Sequence, residues 1–213
     1  NLKLQLTIHG DLLIKGNQMA EFTSSGSTGM EHVLVKGETI IEGTNANFNY
    51  GNHATQLRFE KSLYVNGGTL YLSRTNGPLQ VTILQNLQMV AGTLSVQGGS
   101  GSANITVNGR YNQAGGVMML HNNSTESTGA VVYMTLFGDF VQQGGSLVFD
   151  NNNSSTASHK ISLNGDQFTR SGNSSITTTI SAMNPVYGIL YFDNQGTTGH
   201  SESSSAAVIQ HVK

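Results

Sequence analysis

Seven short segments of this chain repeat one pattern: apolar, any residue, apolar, any residue, then an anchor that is usually glycine. They are Leu6-Thr7-Ile8-His9-Gly10, Val33-Leu34-Val35-Lys36-Gly37, Leu57-Arg58-Phe59-Glu60-Lys61, Val81-Thr82-Ile83-Leu84-Gln85, Ile105-Thr106-Val107-Asn108-Gly109, Met134-Thr135-Leu136-Phe137-Gly138 and Ile161-Ser162-Leu163-Asn164-Gly165. The anchors fall 27, 24, 24, 24, 29 and 27 residues apart. A fixed period of this size marks a stack of similar units, because one such unit is too small to bury its own apolar face.

Other columns share the period. Six residues after the anchor stand Gly16, Gly43, Gly67, Ala91, Gly115, Gly144 and Ser171, and one further on Gly68, Gly92, Gly116, Gly145 and Gly172. Two after the anchor come Leu12, Thr39, Leu63, Leu87, Tyr111, Phe140 and Gln167. Alternating apolar pairs follow the glycines: Leu70 and Leu72, Leu94 and Val96, Met118 and Leu120, Leu147 and Phe149. Period-2 alternation gives strands with one buried face, and small residues mark sharp bends. Each unit reads as strand, bend, strand, Gly-Gly bend, strand, polar loop. The expected fold is all-β: a parallel β-helix, or β-solenoid, of about seven coils of 24–29 residues with three short strands per coil. The competing architecture is an antiparallel sandwich, which also shows short strands at regular spacing. It gives no reason for column identities to recur every 24 residues.

Residues 1–176 hold the regular coils, and 177–213 read as further, less regular β coils. Pro185 to Phe192 looks like one of these with altered spacing. The first residues, Leu2, Leu4 and Leu6, and the final stretch, Ala206 to Val212, are strand-like without charge clusters. The expectation is that the chain is part of a larger one, continues beyond 213, and associates end to end when excised, since unpaired rungs template further pairing.

Composition excludes several function classes. Lys and Arg number 10 against 12 Asp and Glu, so the basic excess of a nucleic-acid surface is missing. No apolar run is long enough to span a membrane as a helix. With no Cys there are no disulfides, thiolate metal sites or thiol nucleophiles. Charged residues are 10% of the chain, and 26 Gly with abundant Asn, Gln, Ser and Thr replace them. Such residues favour turns and extended backbone over helix.

The tracts Ile105 to Gly116, Met134 to Gly145 and Ile161 to Gly172 carry a recognisable signature. They resemble the β-helical repeat regions of large cell-surface proteins, adhesins among them, that Bacteroidota export by the type IX secretion system. The resemblance covers about residues 5 to 195. It implies an extracellular, cell-surface location and a scaffold or adhesive role. The sorting domain of that family is not in this sequence, so the export route does not follow from these residues.

One column could carry chemistry. Directly after the anchor stand Asp11, Glu38, Ser62, Asn86, Arg110, Asp139 and Asp166. Stacked coils would set Asp11 near Glu38 and Asp139 near Asp166, roughly 5 Å apart. Paired carboxylates can bind Ca²⁺ or share a proton. The plainer reading is a polar residue at a bend, with Arg110 offsetting Asp139 one rung away. No Asp-rich calcium loop accompanies either pair, so neither a metal nor a cofactor is expected. His32, His53, His121 and His159 lie in or beside the polar loops at different offsets from their anchors, which argues against a shared metal site. No Gly-x-Ser-x-Gly elbow, phosphate loop or dinucleotide fingerprint occurs. Gln113 and Gln142 share one column, expected to be inward-facing, where stacked amides can bond along the axis.

The expected function is therefore a non-catalytic structural or adhesive segment of a large secreted bacterial protein. Its partners would be the rest of the parent chain or a surface assembly. Glycans or solid surfaces could be contacted through the polar loops His121 to Tyr133 and Asp150 to Lys160. The alternative is a β-helical carbohydrate-active enzyme, a polysaccharide lyase or hydrolase. An ice-binding face would need a regular Thr column, but Leu34, Arg58 and Ser162 interrupt Thr7, Thr82, Thr106 and Thr135.

Overall fold

A computed structural model describes residues 4–16, 19–22, 30–43, 45–48, 53–122, 130–150, 159–165, 167–177, 189–192 and 199–202. Among them there is no helix, and every strand pairing is parallel. The chain winds as a succession of short strands into a three-walled β-solenoid of about six complete turns. The sandwich alternative falls with the parallel pairing.

The first wall is Leu4–Ile8, Met30–Val35, Ala54–Phe59, Leu79–Ile83, Ala103–Val107, Val132–Leu136, Lys160–Leu163 and Ile189–Phe192, each pairing with the strand one turn on. The second wall is Leu12–Lys15, Thr39–Glu42, Leu63–Val65, Leu87–Met89 and Tyr111–Gln113. The third is Ala20–Glu21, Asn45–Asn47, Thr69–Ser73, Thr93–Gln97 and Val117–His121. Two long strands, Phe140–Asp150 and Gln167–Thr177, run through the bend and join the second wall to the third. Gly199–Glu202 pairs with the latter.

The register of the first wall follows the alternation. Ile8, Val35, Phe59, Ile83, Val107, Leu136 and Leu163 are successive partners, with Phe192 next. From Val35 to Leu136 these side chains are fully buried, and Leu163 nearly so. Each contributes about 1.5–3 kcal/mol of hydrophobic burial. A one-residue slip would turn every one of them outward.

The second and third walls meet at a glycine. Gly16 and Gly43 take positive φ in the first two coils, and Gly68, Gly92, Gly116, Gly145 and Gly172 in the later ones. At Gly92 the reason is double: φ is +79°, and an added Cβ would strike the Gly68 carbonyl one turn away. The adjoining ladder then stays intact, with Val117 N–H donating to Gly92 O at 2.8 Å and Ser146 N–H to Gly116 O at 2.9 Å.

Several columns are corrected in the last coil: beyond a register shift after Gln142, Gly144 and Gly145 pair with Asn173 and Ser174 rather than with Ser171 and Gly172. Phe140 pairs with Phe168, not Gln167, because one extra residue sits between Gly165 and the strand. The gain is apolar: the rings of Tyr111, Phe140 and Phe168 stack at centroid spacings of 4.9 and 4.8 Å. Residues 1–3 and 203–213 lie outside the described residues, and with them the ends on which end-to-end association was expected.

Candidate functional site

The polar corner between the first and second walls is built by backbone need. At each turn the residue after the anchor presents a backbone N–H where the chain changes direction. The equivalent side chain one turn earlier accepts it, except at Asp139, where the preceding Arg110 has no acceptor to offer. Glu38 N–H donates to Asp11 Oδ1 at 2.8 Å, Ser62 N–H to Glu38 Oε2 at 2.9 Å, and Asn86 N–H to Ser62 Oγ at 3.4 Å. Arg110 N–H donates to Asn86 Oδ1 at 2.9 Å, and Gln167 N–H to Asp139 Oδ1 at 3.2 Å. The carboxylates thus run head to tail along the axis, each capping the next rung. Asp139 Oδ2 also takes the Arg110 guanidinium at 2.9 Å.

Asp11 and Glu38 are neighbours in the column, as the spacing implied, but joined through a backbone N–H rather than converging on a common point. The expected pairing of Asp139 with Asp166 falls on a residue outside those described. What the structure shows beside Asp139 in the last coil is the backbone N–H of Gln167; Asp166 itself lies outside the described residues. Among the described residues, no group of three or more His, Asp or Glu is placed to hold a metal ion.

Beside this ladder lies a cleft of about 430 Å³ lined by Asn86, Gln88, Arg110, Asn112, Phe137, Gly138, Asp139, Asn164 and Gly165. Three successive anchors, Gly109, Gly138 and Gly165, leave the corner without side chains. Each is held to glycine by close stacking: a Cβ on Gly138 would strike the Gly109 carbonyl, and one on Gly165 the Gly138 carbonyl. Earlier turns carry Lys61 and Gln85 at the same place, and Gln85 Oε1 accepts from Ser62 Oγ at 3.4 Å. Phe137 forms one flank and is 53% exposed. Asn112 Oδ1 and Asn164 Oδ1 are buried acceptors without a hydrogen-bond partner.

A second polar cluster lies at the loop corner between the third and first walls. His53, His121 and His159 are buried. The rings of His121 and His159 stack with centroids 5.4 Å apart, although their offsets from the anchors differ. His121 ends a third-wall strand, and His159 directly precedes the first-wall strand Lys160–Leu163 one turn further on, so stacking of the turns brings them together. His121 Nε2 lies 3.2 Å from Gly99 O, and His159 Nδ1 accepts from Val132 N–H at 3.1 Å. His53 Nε2 is 4.0 Å from Glu31 Oε1, with both side chains buried. The imidazoles of His121 and His159 serve packing and backbone satisfaction. Most of the polar loops expected to make contacts, residues 123–129 and 151–158, fall outside the described residues.

The cleft was not read from the sequence, but a signal existed. The column before the anchor holds His9, Lys36, Glu60, Leu84, Asn108, Phe137 and Asn164, all outward. Phe137 is its one aromatic residue and sits between two glycine anchors. Comparison with protein-family models, curated proteins and solved structures gives no match.

Proposed function

We propose that this chain is a non-catalytic structural or adhesive β-solenoid segment of a larger secreted bacterial cell-surface protein. The observation that carries the reading is the use made of the corner acids. Acid–base catalysis on a sugar needs two carboxyl groups facing one bond across a gap. Here Asp11, Glu38 and Asp139 each spend an oxygen on the backbone of the next turn. Low charge and outward columns of amide and hydroxyl side chains suit a hydrated, elongated scaffold. The resemblance of the repeats at 105–116 and 134–145 to surface-protein repeats supports the extracellular setting.

Incubation of the protein with a panel of acidic and neutral polysaccharides tests this. No reducing ends and no unsaturated products should appear. Product release that disappears in Asp139→Asn would overturn the reading in favour of a β-helical lyase or hydrolase.

A further inference from the structure

We infer that the corner cleft spanning Asn86 to Gly165 is a binding subsite for a neutral oligosaccharide laid along the solenoid axis. The inference rests on the adhesive reading and gives it a ligand class and a place.

The lining sets the chemistry. Its hydrogen-bonding groups are mostly side-chain amides, Asn86, Gln88, Asn112 and Asn164, which offer donors and acceptors together. Sugar hydroxyls are the complementary group, donating and accepting from one atom. Phe137 supplies the apolar surface on which the C–H face of a pyranose ring can lie. The two charges present, Arg110 and Asp139, are paired at 2.9 Å, so the cleft offers no net charge to an anionic or cationic ligand. A peptide strand is a poor fit, because the wall strands here already have parallel partners on both sides and leave no open edge for β-addition.

Two further observations point to a ligand. Asn112 Oδ1 and Asn164 Oδ1 are buried and lack partners, a costly arrangement for an amide oxygen. Rotation about χ2, which is broad for Asn, turns such an oxygen toward a hydroxyl in the cleft. The lining also comes from four successive turns. Rungs ~4.8 Å apart repeat at about the length of one sugar unit, so equivalent groups recur where successive rings of a chain would lie. The earlier turns carry Gln85 and Lys61 at the anchor position instead of glycine, and neither lines the cleft.

Titration calorimetry of the folded protein with cellohexaose, mannohexaose and hexagalacturonate tests this. At least one neutral hexasaccharide should bind saturably, and hexagalacturonate should not compete with it. Phe137→Ala removes an exposed ring and leaves the core untouched. It should weaken binding about tenfold or more, a loss of ~1.4 kcal/mol. Asn112→Leu should act in the same direction, while Tyr71→Ala on the third wall should leave affinity unchanged. Unaltered circular dichroism confirms that each variant is folded. Absence of binding to either neutral sugar, binding insensitive to Phe137→Ala, or preference for hexagalacturonate would each overturn the subsite. None of these outcomes releases product, so the scaffold reading is tested separately by the polysaccharide digestion above.

Discussion

The second wall carries two kinds of core in one inward column. In the first four coils the position is Ile14, Ile41, Val65 and Met89; in the next three it is Gln113, Gln142 and Arg170. All seven are buried. The aliphatic stretch is held by packing, which is non-directional and tolerates exchange of one apolar side chain for another of similar volume. The polar stretch is held by a ladder. Gln142 Nε2 donates to Gln113 Oε1 at 3.0 Å, and Arg170 Nε donates to Gln142 Oε1 at 3.1 Å. Gln113 Nε2 also reaches Gly116 O and Ser146 O, each at 3.1 Å, and Arg170 Nη2 reaches Ser174 O at 3.1 Å. Tyr111 caps the ladder, its hydroxyl donating to Gln113 Oε1 at 2.8 Å. The register then sets Glu202 opposite Arg170 in the next rung.

The difference teaches what each kind of core can specify. An aliphatic column buries area but accepts several neighbours. An amide ladder is satisfied only when the correct rung lies beside it, since a buried amide without its partner costs about 1–3 kcal/mol. The ladder begins at the longest inter-anchor spacing, the 29 residues between Gly109 and Gly138. The longer loops there give the chain more ways to return out of register, and the ladder penalises them.

The largest effect should come from breaking the ladder at its centre. Gln142→Leu keeps the volume but removes the acceptor of Arg170 Nε and the donor to Gln113. The expected loss is about 3 kcal/mol, near the lower end for a buried charged group that loses a partner, read from the denaturant midpoint. A change below 0.5 kcal/mol, the scale of an ordinary surface substitution, would reduce the ladder to passive filling.

A smaller effect separates the two regions at their boundary. Met89→Gln should be tolerated within ~1 kcal/mol, because Gln113 on the next rung can share the N–H now held by Gly116 O with the new amide, as Gln142 shares its own between Gln113 Oε1 and Gly145 O. In a Gln113→Leu background the same substitution leaves the amide oxygen without that donor and should cost more. A double-mutant cycle with no coupling between positions 89 and 113 would show that the ladder cannot be lengthened.

The smallest effect at neutral pH, none, is expected from the Tyr111 hydroxyl's ionisation. Burial pushes its pKa up. The unfolded phenol ionises near the ordinary value of ~10 while the folded one keeps its proton. Above that pH the unfolded state binds fewer protons, so stability falls as pH rises, by up to ~1.4 kcal/mol per unit for this group. Denaturant midpoints measured from pH 9 to 11 should show the decline, and Tyr111→Phe should shallow it. An unchanged slope in the variant would assign alkaline sensitivity elsewhere.

The sequence by itself determined the winding. Alternation at positions such as Val81 and Ile83, repeated at a near-constant spacing, fixes which face is inward and which residue lies one turn away. Those consequences are local and periodic, so the stack from Ile8 to Leu163 and the meeting of Gln113 with Gln142 could be read directly. Tertiary structure decided the rest. Whether Asp11, Glu38 and Asp139 form a catalytic or metal group or cap the backbone depends on where the next turn's N–H points, which no spacing encodes. The extra residue before Gln167 moves Phe168 into the aromatic stack because burying a ring outweighs keeping the count. His121 and His159 meet because successive turns stack at one corner. The cleft exists because three glycines, each excluded from bearing a side chain by a carbonyl or amide of the turn before it, fall in succession beside Phe137, and only the closeness of neighbouring turns turns that absence into a surface.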